Sequence, residues 1–221
     1  MGKLLVVPTP IGNLRDITLR ALDVLREVNY IACEDTRRIR ILLSHYGIKG
    51  KKLIPYYEPK ERYQIPRILR IVKKEDTALV SDAGMPAISD PGYRLIRACV
   101  EEGIEVEVLP GPSSILTALV GSGLPTDRFL FLGFPPKKGR RRFFEELTKY
   151  EGMTVVLLES PKRVVDTLGV LLDVVGDVEA CVARELSKVH EEYVRGSIRE
   201  VLQRLKEKEK VKGEVVVLIR L

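Results

Sequence analysis

The stretch VVPTPIGNL, residues 6–14, joins a short apolar strand to an amphipathic helix. The predicted strand covers residues 3–7, and apolar residues recur near helical spacing between residues 16 and 28. In an α/β sheet, such a turn presents its backbone to a ligand. The turn holds one glycine and two prolines, so it does not match the GxGxxG pattern of a dinucleotide site. It favours an uncharged or cationic ligand over a phosphate.

Strand-like and helix-like segments alternate along the rest of the chain. In the first half, strands are predicted at residues 30–33, 53–56, 77–81 and 104–109, and helices at 36–46, 62–72 and 92–102. In the second half, strands are predicted at 129–134, 154–158, 179–183, 190–195 and 214–221, and helices at 115–121, 143–150, 162–175 and 198–208. This order predicts mostly parallel sheets that are covered on both faces.

The tract LPGPSS at residues 109–114 interrupts this alternation. Proline and glycine set a stiff turn, and either serine can cap the helix that follows. We therefore predict two domains, residues 1–112 and residues 113–221. The predicted fold class is α/β, with two α/β domains in tandem and an interdomain cleft.

Composition narrows the class of protein. The 221 residues carry a formal net charge of +6, and a basic balance favours a polyanionic partner such as nucleic acid. The three cysteines are dispersed, without a CxxC pair or zinc-ligand spacing, which predicts reduced thiols, a cytoplasmic protein and no metal site. No apolar run approaches membrane-spanning length, so we expect no membrane partner.

Polar loops follow several predicted strands. The densest is SDAGMPAISDPG at residues 81–92, and a loop this rich in glycine, proline and carboxylates usually lines a site. Three other polar runs come after predicted strands. They are EDTRR at residues 34–38, ESPKR at residues 159–163 and ARELSK at residues 183–188. All lie at the carboxyl ends of strands, where ligands bind in α/β sheets.

These motifs together resemble one known family. Residues 6–22, 34–37, 81–92, 110–114, 159–163 and 183–192 look like the tetrapyrrole methylase superfamily, and within it the ribosomal RNA small subunit methyltransferase I family. The resemblance covers the whole chain. It departs at Met85, where the family usually has threonine, at Pro8, where alanine is common, and at Lys162, where histidine is frequent. Many relatives also carry a C-terminal segment beyond the last strand predicted here.

The resemblance implies the fold of the class III methyltransferases, S-adenosylmethionine as cofactor and a homodimer. It implies 2′-O-methylation of a cytidine ribose in small-subunit (16S) ribosomal RNA, as bare RNA or in the assembled subunit. The residues implied to line the cofactor are Ile11, Gly84, Met85, Ile88, Ser113, Ser114, Leu158 and Ala183.

Methyl transfer to a ribose hydroxyl requires a group that holds the oxygen and manages its proton. The candidates for this catalytic role are Asp35, Glu159, Glu185 and Lys188. The hypothesis is that at least one of the three carboxylates lies near the sulfonium. The alternative for each is a structural salt bridge with Arg37, Arg163 or Arg184.

A basic run at residues 137–142 is predicted to form a loop that contacts RNA phosphates, and Lys60, Arg62 and Lys188 extend this track. The full set of RNA-binding candidates is Arg37, Lys137, Lys138, Arg140, Arg141, Arg142 and Arg184. Two alternatives stay open. A small-molecule methylase of the tetrapyrrole type is expected to have a Gly-Asp-Pro loop and less basic surface. A non-catalytic S-adenosylmethionine- or RNA-binding module is expected to lack the charged clusters at 34–37 and 184–185.

Overall fold

The computed structural model describes residues 2–221. The chain divides into two compact units, Met1–Ser113 and Ser114–Leu221, and this division falls beside the boundary predicted between residues 112 and 113. Each unit combines one β-sheet with helices, so the predicted α/β class is confirmed. Over the described residues, no helix has the length and apolar character needed to cross a membrane.

The first unit is a parallel α/β sheet. Its strands and helices are β1 (Leu4–Val6), α1 (Leu19–Glu27), β2 (Tyr30–Cys33), α2 (Thr36–His45), β3 (Lys52–Pro55), α3 (Glu61–Val72), β4 (Thr77–Val80), α4 (Tyr93–Glu101) and β5 (Val106–Val108). Short 3-10 helices lie at Leu14–Asp16 and Glu58–Lys60. The strand order is β3-β2-β4-β1-β5, and every neighbouring pair is parallel.

Both faces of this sheet are buried. Leu4 and Val6 point to one face and pack with α3 and α4, whereas Leu5 and Val7 point to the other and pack with α1 and α2. Successive strand side chains alternate between faces, so a strand covered on both sides reads as a continuous apolar run. This explains why residues 4–7 are all apolar, without the alternation of polar and apolar residues that marks a strand with one exposed face.

The second unit has a mixed sheet. Its elements are α5 (Ser114–Ser122), β6 (Phe129–Phe131), α6 (Arg140–Glu145), β7 (Thr154–Glu159), α7 (Val164–Val175), β8 (Glu179–Arg184), β9 (Glu192–Ser197), α8 (Ile198–Lys206) and β10 (Val215–Arg220), with a 3-10 helix at Glu146–Lys149. The strand order is β6-β7-β10-β8-β9.

The prediction of a mostly parallel sheet is wrong for this unit. Strands β6 and β7 are parallel, but β10 pairs antiparallel with both β7 and β8, and β8 pairs antiparallel with β9. The reason is connectivity: no helix separates β8 from β9, and β10 inserts between β7 and β8 in the opposite direction. An apolar buried strand reads the same in either direction, so its pattern carries no information on orientation.

The basic run is also more ordered than predicted. Helix α6 begins at Arg140, three residues before the predicted start, and Gly139 precedes it with φ of 75°. Glycine adopts this left-handed conformation without a steric penalty, which lets the chain turn into the helix there. Residues 140–142 therefore form the first turn of a helix and not a loop.

Candidate active site

Three loops of the first unit meet at the carboxyl edge of its sheet. Because the strands are parallel, the loops after β1, β4 and β5 leave the sheet on the same side. Thr9 and Gly84 exchange two backbone hydrogen bonds, with N–O distances of 3.0 and 2.9 Å. The buried Thr9 hydroxyl also donates to the Ser81 carbonyl at 3.1 Å. The opening turn and the 81–92 loop are thus fixed to each other.

The space beside Gly84 is closely packed. A Cβ atom added to Gly84 would lie 3.4 Å from Ile11 Cγ2 and 3.8 Å from the Pro112 carbonyl oxygen, and the residue has φ of 81°. A Cβ added to Gly111 would lie 2.8 Å from Pro8 Cβ, closer than atoms can pack. The structure therefore brings two predicted cofactor residues, Ile11 and Gly84, together with the loop after β5. We call residues 8–11, Gly84 and 110–112 the glycine surface.

The rest of the 81–92 loop has strained backbone. Ala87 and Ser89 have φ of 70° and 60°, values that non-glycine residues rarely adopt. The Gly92 amide donates to the buried Glu61 carboxylate at 3.1 Å, which holds the end of the loop in place. Strained residues of this kind concentrate at functional sites. Ile88, a predicted cofactor residue, is 45% exposed in this loop.

The predicted cofactor residues of the second unit lie on its sheet and at its first helix. Leu158 of β7 and Ala183 of β8 both pair with Val216 of β10, which places them on opposite sides of one strand. Ala183 is fully buried, whereas Leu158 is half-buried. Ser114 begins α5, directly after Ser113.

Among the predicted catalytic residues, Asp35 is held by its neighbour. Its carboxylate caps α2, accepting from the Arg37 amide at 2.8 Å and from Arg37 Nη2 at 2.7 Å. These bonds from Arg37 lower the pKa of Asp35 to about 2. The salt bridge with Arg37, which was the predicted structural alternative to a catalytic role for Asp35, is therefore present.

Glu159 is 2% exposed and has donors on both carboxylate oxygens. Oε1 accepts from the Ser160 amide at 2.6 Å and from Arg163 Nε at 2.8 Å, and Oε2 accepts from the Thr167 hydroxyl at 2.6 Å. Both carboxylate oxygens are therefore already bonded to groups of the second unit. The arrangement favours a structural role for Glu159.

Glu185 and Lys188 pair with each other. Lys188 Nζ lies 2.9 Å from Glu185 Oε1 and 3.1 Å from Glu214 Oε2, and the Glu214 amide donates to Glu185 Oε1 at 2.9 Å. The bond from Lys188 lowers the pKa of Glu185. Burial acts to lower the pKa of Lys188, but its two carboxylate partners outweigh burial and raise it. Glu185 itself has φ of 51°, a strained value.

The predicted RNA-binding residues divide into two groups. Arg37 and Arg184 are paired, with Asp35 and with Glu192 respectively, and Arg140 Nη1 donates to the buried Thr167 hydroxyl at 2.9 Å. Arg141 lies 3.7 Å from Glu145 and 3.8 Å from Asp173. The exposed cations of the run are Lys137, Lys138, Arg141 and Arg142.

A residue missed by the sequence reasoning is Glu34. It follows β2 and borders two surface cavities of the first unit, of about 490 and 350 Å³. Burial, and then the nearby Asp82 carboxylate, raise the pKa of Glu34. In the sequence, the position of Glu34 next to Asp35 in the EDTR run was the signal that could have identified it as a candidate. Across residues 2–221, no group of three or more potential ligand side chains is arranged to hold a metal ion.

Solved structures with the same fold have been described. Diphthine synthase aligns with a TM-score of 0.77 at 15% identity, over 99% of this chain and 90% of that one. Uroporphyrin-III C-methyl transferase from Thermus thermophilus, complexed with S-adenosyl homocysteine, aligns with a TM-score of 0.67 at 20% identity, over 98% of this chain and 97% of that one. These likenesses establish the fold.

Sequence relatives are more informative. Residues 3–202 match the family model of the Tetrapyrrole (Corrin/Porphyrin) Methylases. The protein named Ribosomal RNA small subunit methyltransferase I from Hydrogenobaculum sp. is 55% identical over 98% of this chain and 95% of its own length. Its namesake from Thermotoga maritima is 48% identical over 99% of this chain and 98% of its own length. The chain therefore belongs to the tetrapyrrole methylase superfamily and, within it, to the ribosomal RNA small subunit methyltransferase I family.

Proposed function

We propose that this chain transfers the methyl group of S-adenosylmethionine to the ribose 2′-oxygen of a cytidine in small-subunit ribosomal RNA. The observation that carries the proposal is the glycine surface, where Ile11, Gly84 and the Pro112 carbonyl meet beside a strained loop. Its exposed and half-buried members, Pro10 and residues 110–112, offer apolar contacts and backbone atoms, while Ile11 and Gly84 are buried. It lacks the glycine-rich nest that a pyrophosphate needs. That character suits an adenosine with a cationic sulfonium.

The cofactor contacts proposed for this chain are those of the residues implied by the family resemblance. In the first unit, Ile11, Gly84, Met85 and Ile88 supply side-chain and backbone contacts at the carboxyl edge of the sheet. Ser113 at the end of the first unit is also proposed to contribute, together with Ser114 at the start of α5 and the strand residues Leu158 and Ala183 of the second unit. When bound, S-adenosylmethionine supplies an activated methyl group on a good leaving group.

The chain's own residues must position the ribose hydroxyl in line with the methyl group and accept its proton. Asp35 is a weak proton acceptor because the Arg37 bonds lower its pKa to about 2. Glu159 is surrounded by donors. Glu185 and Lys188 are half-buried and paired with each other, and this pairing lowers the pKa of Glu185 and raises that of Lys188. Both therefore remain proposals on the same footing as Asp35.

We also infer a homodimer that works on RNA in the cytoplasm. The homodimer rests on the family resemblance, and light scattering at working concentration tests it by returning twice the mass of one chain. A value equal to the mass of one chain would contradict it. A ribosomal substrate implies a cytoplasmic enzyme, where buried free thiols such as Cys33, Cys99 and Cys181 stay reduced.

A labelled-methyl transfer assay tests the proposed function. Purified small ribosomal subunits lacking the modification, bare ribosomal RNA and a tetrapyrrole precursor are offered side by side, and the labelled nucleotide is mapped. Label on a cytidine 2′-oxygen is the expected result. Label on the tetrapyrrole alone would reassign the chain to small-molecule methylation, and cofactor binding without transfer would make it a non-catalytic module.

A further inference from the structure

A surface cavity of about 490 Å³ lies at the carboxyl ends of β2, β3 and β4 in the first unit. We call it the β2–β3 pocket. It is lined by residues 34–37, Pro55, Tyr57, Lys60 and Asp82. Its volume falls within the roughly 300–1,000 Å³ typical of small-molecule sites. The proposed cofactor contacts leave this pocket without an assigned ligand.

The pocket combines an aromatic surface with cations. Tyr57 is half-buried, and Lys60 Nζ lies 5.3 Å from the centroid of its ring. The Arg37 side chain is 84% exposed at the same edge, although its Nε and Nη2 atoms also bond Asp35. Proteins that bind single-stranded nucleic acid place aromatic rings for base stacking next to cations for phosphates. The pocket has both elements among its lining residues.

Among the described residues, Glu34 is the acidic lining residue of the pocket whose carboxylate is not already bonded. Within residues 2–221, its carboxylate has no hydrogen-bond donor and no cation within ion-pair distance, whereas Asp35 is bonded to Arg37 and Asp82 accepts the Asp35 amide at 2.9 Å. A half-buried acceptor without a donor gains most when a ligand brings an N–H group to it. The exocyclic amine of cytosine is the base donor that carboxylates recognise.

The pocket also lies next to the glycine surface. Asp82 borders the pocket, and Gly84, two residues later in the same loop, is bonded to Thr9. Residues 82–84 of one loop therefore connect the pocket to the loop proposed to hold the methyl donor. Methyl transfer requires this proximity, because the attacking oxygen must lie near the reacting carbon before reaction.

We propose that the β2–β3 pocket binds the target nucleotide in an unstacked form, with Tyr57 stacking on the base, Glu34 accepting the exocyclic amine, and Arg37 and Lys60 contacting flanking phosphates. This proposal rests on the RNA methyltransferase function proposed above. Unstacking exposes a nucleotide that a folded RNA would otherwise hide from the enzyme.

Kinetics on small subunits that lack the modification test the stacking contact. The change Tyr57→Ala is expected to raise KM for the subunits about tenfold, in line with the loss of one base–aromatic stack, and to leave the affinity for S-adenosylmethionine, measured by calorimetry, unchanged. Tyr63→Ala is the matched control, because Tyr63 is 84% exposed on α3 and does not line the pocket. An unchanged KM in the Tyr57 variant would overturn the proposal.

Base preference tests the role of Glu34. Wild-type enzyme is offered RNA with cytidine or uridine at the mapped target, and Glu34→Gln is expected to reduce the preference for cytidine about tenfold. Glu27→Gln is the control, because Glu27 is exposed at the end of α1 and lines neither of the two cavities that Glu34 borders. Retained preference, or lost cofactor affinity, in the Glu34 variant would overturn the proposal. Wild-type enzyme that methylates no RNA would overturn the proposed function together with it.

Discussion

Glu159 illustrates how one side chain connects the sheet and helix of the second unit. Its carboxylate joins the end of β7 to Arg163 and to Thr167 of α7, and the residue is 2% exposed. Removing one partner from a buried ion pair leaves the other charge without compensation. The stability of this unit therefore depends on Glu159 independently of any role in chemistry.

We predict that Glu159→Ala lowers the free energy of unfolding by about 3–5 kcal/mol, measured by urea denaturation. Glu101→Ala serves as the control, because Glu101 forms an exposed pair with Arg97 on α4, where the loss is expected to be about 0–1 kcal/mol. A Glu159 variant with normal stability but no methyl transfer would contradict the structural role and return this residue to the catalytic candidates.

The Glu185–Lys188 pair has a defined pH dependence. Because the pKa of Glu185 is lowered below its ordinary value of 4.5, its stabilising effect is present above that value and is lost as pH falls through the folded pKa. Because the pKa of Lys188 is raised above 10.5, its effect is present below that value and is lost as pH rises through the folded pKa. The pair is thus fully effective near neutral pH.

We predict that Glu185→Gln destabilises the protein at pH 7 and that the difference from wild type shrinks as pH falls below about 4.5, the ordinary glutamate value. Denaturation curves of the two proteins between pH 3 and pH 8 provide the measurement. A difference that grows toward acid pH would mean that Glu185 is destabilised by its surroundings and is not held by Lys188.

At the scale of elements, the loops after β1 and β5 approach each other through a glycine. Gly111 lies against Pro8, where a Cβ atom would come within 2.8 Å of Pro8 Cβ. By contrast, a Cβ atom on Gly169 of α7 would have no atom within 4 Å apart from its chain neighbours and the backbone of its own helix. A comparison of alanine substitutions at Gly111 and Gly169 therefore distinguishes the effect of loop packing from the general effect of replacing a glycine.

We predict that Gly111→Ala costs about 1–3 kcal/mol of stability through overpacking and weakens the binding of S-adenosylmethionine, because it displaces the glycine surface. Gly169→Ala is expected to be neutral or to stabilise the helix by up to about 1 kcal/mol. Thermal denaturation and calorimetric titration measure both effects. Equal behaviour of the two variants would show that the loops do not need this close approach.

At the scale of the whole molecule, the net charge of +6 favours binding to RNA, but charge alone does not locate the contact. Of the basic run, Arg140 is bonded to Thr167, whereas Lys137, Lys138 and Arg142 are exposed. The exposed cations are the ones available to phosphates.

We predict that changing Lys137, Lys138 and Arg142 together to Gln weakens binding to small subunits and reduces the salt slope by about 0.7–0.9 for each phosphate that the variant no longer neutralises. The control changes Lys49, Lys206 and Lys210 to Gln, which are exposed elsewhere and lower the net charge from +6 by the same three charges. Binding is measured at several salt concentrations. An equal reduction in both variants would attribute the effect to overall charge and not to a local contact.

Much of the fold was predictable because its signals are local. The predicted strand at 30–33 coincides with β2, and the predicted helix at 36–46 differs from α2 by one residue, since periodic burial and caps such as Asp35 act within a few positions. Strand direction in the second unit was not predictable. Strand β10 pairs with β7 and β8, and nothing in its own apolar run specifies antiparallel pairing.

The candidate site was likewise predictable from the sequence only in part. The turn VVPTPIGNL, the carboxyl-edge loops and the family membership follow from the sequence, because residue types at fixed short spacings define them. The tertiary structure alone decides which polar groups are already bonded: the Thr9 hydroxyl bonds to the Ser81 carbonyl across 72 positions, and Glu185 bonds to the Glu214 amide across 29. Hydrogen-bond partners are set by packing between distant segments, so only the folded chain distinguishes the bonded Glu159 from Glu34, which has no donor among the described residues.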